Sequence, residues 1–148
     1  MPDILHRVAI KSNTPRDTYA ALTTVDGLAG WWTAQTEGDP QVGGEIRFTF
    51  GDKGFFLMRV RDLDPMATVL WEVLDGPAEW IGTTIEFMLR QEEDYTAIRF
   101  AHRGWKEPVE FMHHCSTKWA IFLMSLKSLI ETGKGQPSPN DVLIDNWN

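Results

Sequence analysis

Three residues with side chains that bind metals or act as nucleophiles stand together in the stretch FMHHCSTKW, residues 111–119. His113 and His114 are followed by Cys115, the single cysteine of the chain. Imidazole nitrogens and thiolates are ligands that zinc prefers, and a histidine beside a cysteine can activate it for nucleophilic attack. The stretch therefore suggests two kinds of site, a metal centre and a catalytic cysteine.

A helical conformation of this stretch suits neither site. Successive residues of an α-helix point about 100° apart, so His113, His114 and Cys115 would fan around the axis. A zinc-binding pair on a helix is spaced three or four residues apart, as in H-E-x-x-H. No third group is indicated that would orient a cysteine–histidine pair. We therefore predict no metal site and no cofactor, and we expect Cys115 to be an unreactive buried thiol.

A long amphipathic helix is predicted to carry this stretch, from about Glu107 to Thr132. Pro108 suits the start of a helix, and Gly133 suits the position just after its end. Apolar residues recur at spacings of four and three, which predicts a stripe along one face. The stripe consists of Cys115, Trp119, Phe122, Leu126 and Leu129.

The N-terminal part of the chain predicts one strand and two short helices. The segment ILHRVAIKS, residues 4–12, mixes apolar and polar residues as a half-buried strand does. The next stretch, NTPRDTYAALTTVDGLAGWW, has a helix start at Pro15. Gly27 and Gly30 interrupt this stretch, so two short helices are expected rather than one long helix.

Five further strands are predicted between residues 41 and 103. Apolar and polar residues alternate within them, so each strand has one apolar face. Short turns join the strands, which favours an antiparallel meander. The segments are QVGGEIRFTFGD, GFFLMRVRDLDP, TVLWEVL, TTIEFMLRQ and YTAIRFAHR.

This order of elements predicts an α+β fold with one domain, residues 1–135. The apolar face of the sheet must be covered, and the long C-terminal helix is the only large cover available. A strongly twisted antiparallel sheet would curl around that helix, and the space left between them is a natural ligand cavity. The tail, residues 136–148, is either loose or docked through Val142, Leu143, Ile144 and Trp147.

The composition indicates a soluble cytoplasmic protein that does not bind nucleic acid. The 148 residues are 43% hydrophobic, and one cysteine cannot form an internal disulfide, as expected in a reducing compartment. No apolar run approaches the roughly 20 residues that span a bilayer, and the N-terminus lacks the apolar stretch of a signal peptide. A net charge of −7 disfavours binding to nucleic acid.

Several motifs, taken in order, resemble the activator of heat-shock-protein-90 ATPase homologue family. IKSNTPRDTYAALTTVDGLAGWW resembles its opening signature, and GGEIRF, VLWEV, TTIEFMLRQEEDYTAIRFAHRGW and KWAIFLMSLKSLIETGKG match its later elements. The resemblance covers about residues 4 to 135 and places the chain in the START-like, or SRPBCC, superfamily. It implies a helix-grip fold, in which the sheet wraps around the C-terminal helix and leaves a deep hydrophobic pocket. Members of the superfamily bind lipids, sterols, polyketides or other apolar molecules, and some are cyclases or hydrolases.

The first functional hypothesis is a binding protein for a lipid or another hydrophobic small molecule. Seven tryptophans and eight phenylalanines are many for this length, and aromatic side chains often line apolar ligand sites. Trp31 and Trp32 are expected to line the mouth or to act as a lid. Core packing explains many of these side chains equally well. The predicted ligand-binding residues are Trp31, Trp32, Phe48, Phe50, Trp71, Phe87, Phe100, His102, Trp119, Phe122 and Leu123.

Two other hypotheses stay open at this point. An enzyme of the cyclase or hydrolase type would need a polar group aimed into the pocket, and His102 is the first candidate because it follows Phe100 on the inward register. A protein-interaction module, either co-chaperone-like or homodimeric, would use exposed aromatic side chains. Trp80, Trp105 and Trp147 are the residues expected to be exposed in that case.

Overall fold

The structure, a computed structural model, describes all residues from Met1 to Asn148. It contains three helices and seven strands, one strand more than the sequence predicts. In chain order the elements are β1 (Ile4–Lys11), α1 (Arg16–Thr23), α2 (Val25–Trp31), β2 (Gln35–Gly38), β3 (Glu45–Thr49), β4 (Phe55–Asp64), β5 (Thr68–Asp75), β6 (Thr84–Glu92), β7 (Tyr95–Arg103) and α3 (Glu110–Thr132).

The seven strands form one antiparallel sheet in the order β1-β7-β6-β5-β4-β3-β2. Strands β2 to β7 are a meander, as predicted, and β1 pairs with β7, with Ile4 opposite His102 and Lys11 opposite Tyr95. The register shifts twice between β4 and β5, after Leu57 and after Val60. Irregularities of this kind bend a strand and increase its twist, which helps the sheet to curve around α3.

The predicted α+β helix-grip architecture is confirmed. Helix α3 lies across the concave face of the sheet, with the rings of Trp119 and Phe100 4.6 Å apart. The residues of α3 that are buried with the sheet include Cys115, Trp119, Phe122, Leu123 and Leu126. The helix starts at Glu110 rather than at Glu107, because Val109 is still extended. It ends as predicted at Gly133, which has a φ of 85°.

The two short helices are confirmed, but the break between them lies at Thr24 and not at a glycine. Thr24 is extended, and its hydroxyl oxygen accepts a hydrogen bond of 3.0 Å from the backbone N–H of Gly27. Gly27 and Gly30 therefore lie inside α2. A threonine is a favourable N-cap because its side chain satisfies a backbone donor of the first turn.

The expectation that Trp80 and Trp105 are exposed is wrong. Their side chains are only 3% and 1% exposed, because the β5–β6 loop and the segment after β7 fold over one end of the core. Trp147 is 45% exposed, as expected. Residues in loops carry no periodic pattern, so the sequence gives little indication of which of their side chains are buried.

The C-terminal tail docks on the body of the protein. Ser138 is buried and exchanges backbone hydrogen bonds with Trp32 and Ala34. Further along the tail, Asp141 pairs with Lys118 and Asp145 pairs with His114. Of the residues expected to dock the tail, Trp147 packs near Phe111 and His114, with ring centres 6.4 and 5.4 Å away, whereas Val142 and Leu143 are exposed. No helix has the length and apolar character needed to cross a membrane.

Candidate functional site

A cavity of about 450 Å³ lies between the sheet and the N-terminal half of α3. The turn between β3 and β4 and the loop between β5 and β6 form two of its sides, and the C-terminal tail forms another. Its volume falls within the range of roughly 300 to 1,000 Å³ that is usual for ligand sites. Nine of its 20 lining residues are phenylalanine or tryptophan: Trp32, Phe50, Phe55, Phe56, Trp80, Phe111, Trp119, Phe122 and Trp147.

Contacts between aromatic rings hold this wall in place. Phe56 and Trp80 are stacked with their ring centres 4.0 Å apart and their planes at 1°. Trp119 continues the row, 5.8 Å from Trp80 and 5.0 Å from Trp32. Large side chains with few rotatable bonds lose little freedom when they pack, so the wall offers a preformed apolar surface.

The cysteine of the HHC stretch faces this cavity but is held as a thiol. Trp80 Nε1 donates a hydrogen bond of 3.3 Å to Cys115 Sγ. Burial raises the pKa of the Cys115 thiol to about 12. The thiolate is the nucleophilic form, and at neutral pH it is scarcely populated here. Cys115 therefore contributes shape to the wall rather than reactivity.

The two histidines of the stretch diverge, as helical spacing predicts. His113 is exposed and its Nδ1 lies 3.3 Å from the carbonyl oxygen of Val109. His114 stacks on Phe111 and pairs with Asp145 of the tail at 2.7 Å. This pairing lowers the pKa of the Asp145 carboxyl. No group of three or more His, Cys, Asp and Glu side chains is placed to hold a metal ion.

His102 lies behind the aromatic wall and does not line the cavity. Trp119 Nε1 donates to its Nδ1 over 3.1 Å, so the ring proton of the neutral imidazole must be on Nε2. That nitrogen lies 2.8 Å from the hydroxyl oxygen of Thr83, whose own proton goes to the carbonyl oxygen of Trp80. Burial lowers the pKa of His102 to about 3. Both ring nitrogens are occupied, which does not suit the acid–base role considered for this residue.

Part of the predicted ligand-binding set lies on the cavity wall. Trp32, Phe50, Trp119 and Phe122 line it. The remaining residues pack elsewhere in the core: Trp31, Phe48, Trp71, Phe87, Phe100, His102 and Leu123. Trp31 and Trp32 are both fully buried and do not form an exposed lid. Trp32 fills the middle of the fold, 4.3 Å from Phe48 and 6.0 Å from Trp71. Ligand binding by the set stays a prediction.

Sequence reasoning missed the polar end of the cavity. Lys118 is a wall residue whose side chain is only 9% exposed, and Asp141 of the tail pairs with it and is 10% exposed. Lys118 Nζ also donates a hydrogen bond of 2.8 Å to the carbonyl oxygen of Val142. The spacing contained a signal, since Lys118 is three residues after Cys115 and four before Phe122. A lysine at that spacing lies on the apolar face of the helix.

Known proteins are similar to this chain in sequence and structure over most of its length. Residues 12–131 match the family described as Activator of Hsp90 ATPase homolog 1-like protein. The solution structure of the Aha1 dimer from Colwellia psychrerythraea is 45% identical, covers 91% of this chain and 100% of its own, and has a TM-score of 0.83. No curated protein sequence matches the chain.

More distant structures share the fold. A Mesorhizobium loti protein is 19% identical, with 87% of this chain and 96% of its own covered and a TM-score of 0.77. CalU16 from Micromonospora echinospora is 17% identical, with 97% of this chain and 74% of its own covered and a TM-score of 0.78.

Proposed function

The chain belongs to the activator of Hsp90 ATPase homologue 1-like family, and from that premise we propose that it is a binding protein for apolar small molecules. The observation that carries the proposal is the cavity of about 450 Å³ with its aromatic wall. Water inside such a cavity gains few hydrogen bonds, so an apolar ligand that displaces it is favoured.

The shape of the wall supports flat ligands in particular. Phe56, Trp80 and Trp119 form a row of nearly parallel rings, with interplanar angles of 1° and 20° between neighbours. A flat aromatic ligand can pack against such a row and make stacking or edge contacts with several rings. Lipid chains fit the apolar lining as well, but they gain less from the alignment of the rings.

Isothermal titration calorimetry with 2-naphthamide, a flat neutral probe, tests the proposal. We expect saturable binding with a negative heat-capacity change, the mark of buried apolar surface. Cys115→Leu puts a larger side chain into the wall and should weaken binding at least tenfold. Met124→Leu is the matched control, because Met124 is on the same helix and exposed. Absence of binding to the unmodified protein, or equal binding by both variants, would contradict the proposal.

A homodimer is the second candidate, and one observation favours it. The Colwellia psychrerythraea structure, 45% identical to this chain, is described as a dimer. Exposed apolar side chains, among them Leu5, Met124 and Leu143, are available for such a contact. Size-exclusion chromatography with light scattering should then show a mass that rises from monomer to dimer with concentration. A constant monomer mass over a hundredfold concentration range would exclude this candidate.

A further inference from the structure

Lys118 places a buried positive charge in the cavity wall beside the aromatic side chains, whereas Lys53 and Asp75, which also line the cavity, are exposed. Its Nζ lies 5.1 Å from the ring centre of Phe122, so the apolar stem and the charged head both pack inside the protein. A buried ammonium group needs an anionic partner, because an unpaired charge away from water is strongly destabilising. The identity of that partner decides what else the cavity can hold.

The anionic partner comes from the C-terminal tail and not from the sheet. The carboxylate of Asp141 reaches Lys118 and is as well buried as the ammonium group. The two residues that follow, Val142 and Leu143, are exposed, so little apolar contact holds this part of the tail. Ser138 fixes the chain before it through backbone hydrogen bonds with Trp32 and Ala34. Asp141 is thus a carboxylate delivered to Lys118 on a short exposed stretch of the tail, which is held upstream at Ser138 and downstream at Asp145 and Trp147.

We propose that the cavity takes a ligand with a flat apolar body and one carboxylate, and that this carboxylate replaces Asp141 on Lys118. The inference rests on the proposed function of the cavity. The aromatic row would hold the body of the ligand, and Lys118 would fix its orientation. Exchange rather than addition is expected, because a second carboxylate beside Asp141 would bring two like charges together in a poorly solvated place. The tail therefore competes with the ligand for one cation.

Two probes that differ only in charge test this exchange, 2-naphthoate and 2-naphthamide, each titrated calorimetrically. In Asp141→Asn the competing charge is gone, so 2-naphthoate should bind at least tenfold more tightly than it binds the unmodified protein. Binding of 2-naphthamide should change by less than twofold. The double variant Lys118→Met/Asp141→Asn removes both charges and should lose the preference for 2-naphthoate.

Asp145→Asn is the matched control, because it weakens the other polar anchor of the tail and leaves the partner of Lys118 unchanged. If 2-naphthoate gains as much affinity from Asp145→Asn as from Asp141→Asn, simple release of the tail explains the effect and the inference is wrong. Equal binding of both probes to every variant also overturns the inference but leaves the apolar cavity as a ligand site. Failure of both probes with every protein would overturn the proposed function as well.

Reduced stability of Asp141→Asn gives a second measurement. If this variant unfolds at a lower temperature because Lys118 has lost its partner, 2-naphthoate should restore the unfolding temperature. At the same concentration 2-naphthamide should restore it much less. An equal rise with both probes would contradict the exchange at Lys118.

Discussion

The indole N–H of Trp119 donates a hydrogen bond to Nδ1 of His102 over 3.1 Å, which ties the middle of α3 to the end of β7. Because Nδ1 is an acceptor here, the neutral ring must carry its proton on Nε2, towards Thr83. A second proton on the ring would point at the indole N–H and would be buried without water. His102 is therefore a structural link between helix and sheet, fixed in its neutral form.

Acid should destabilise the protein through this histidine. Its pKa is about 3 in the folded state, against an ordinary 6.5, so between about pH 6.5 and pH 3 the proton is taken up mainly by the unfolded chain. The stabilisation of the fold by the neutral His102 ring is complete above pH 6.5. It is lost as the pH falls towards 3, at about 1.4 kcal/mol per pH unit. Urea unfolding between pH 7 and pH 4 measures it.

Two variants isolate the contribution of His102 to that slope. Asparagine does not titrate, so the unfolding free energy of His102→Asn should fall less steeply with decreasing pH. The two slopes should differ by close to the value for one proton, about 1.4 kcal/mol per pH unit. His113→Gln alters an exposed histidine on α3 and should keep the slope of the unmodified protein. If His102→Asn and the unmodified protein give the same slope, the account of the buried neutral ring is wrong.

Cys115 should resist thiol reagents while the protein is folded. Its pKa is about 12, three units above the ordinary value of 9, so the thiolate fraction near pH 8 falls roughly a thousandfold. Reaction with an uncharged alkylating reagent should be correspondingly slow in buffer and fast in urea. Trp80→Phe removes the indole donor to Cys115 Sγ but keeps an apolar ring, so the thiol should stay unreactive. Rapid alkylation of the folded protein would show that Cys115 is a reactive site.

Strand β1 lies at the edge of the sheet, and an ion pair on α3 covers the side of β1 that has no neighbouring strand. Lys127 Nζ donates to the carbonyl oxygen of Ala9, and a carboxylate oxygen of Glu131 accepts from the backbone N–H of Lys11 over 2.8 Å. Lys127 and Glu131 also contact each other at 2.6 Å. The pair satisfies backbone groups that would otherwise be available to another strand.

Glu131→Ala should therefore expose the end of β1. The loss of one hydrogen bond should lower the unfolding free energy by about 1 kcal/mol. The amide of Lys11 should exchange with solvent about fivefold faster, which hydrogen-exchange NMR would detect. Glu107→Ala alters an exposed glutamate before α3 and should change neither quantity. Unchanged exchange at Lys11 in Glu131→Ala would mean that the carboxylate does not protect this edge.

Periodic patterns in the sequence predicted the elements that place the site, but not all of the sheet. The stripe on α3 and the alternation of the long strands are repeated signals, so their burial follows from spacing alone. Strand β2 has the sequence QTEG with only Thr36 buried, and no apolar alternation marks it. It is a strand because it pairs with β3, where Thr36 lies opposite Phe48, and that pairing is a tertiary effect.

The cavity was less predictable than the fold for a related reason. Alternation shows that Phe48, Trp71 and Phe87 point inward, but not how tightly the space in front of them is filled. Trp32 comes from the end of α2 and occupies that space, which moves the cavity towards the β5–β6 loop. The tail completes the wall from residues that are distant in sequence from the strands, so no local pattern identifies Asp141 as a neighbour of Lys118.

The close approach of α1 and α2 should make Gly27 intolerant of any side chain. A Cβ atom there would lie 2.5 Å from the Cα of Ala21, so the backbone would have to move. The movement would also strain the hydrogen bond of 2.9 Å from Trp31 Nε1 to the carbonyl oxygen of Ala21. We expect Gly27→Ala to lower the unfolding free energy by about 1 to 3 kcal/mol, as overpacking does.

Gly30→Ala is the matched control for this prediction, because it makes the same change three residues later in α2. Its Cβ would meet only the flexible end of the Leu129 side chain, at 3.2 Å. Alanine is favoured over glycine within a helix by up to about 1 kcal/mol, which should offset this contact. Urea unfolding should therefore show Gly27→Ala well below the unmodified protein and Gly30→Ala close to it. Equal effects of the two substitutions would mean that the separation of α1 and α2 does not depend on the missing side chain at Gly27.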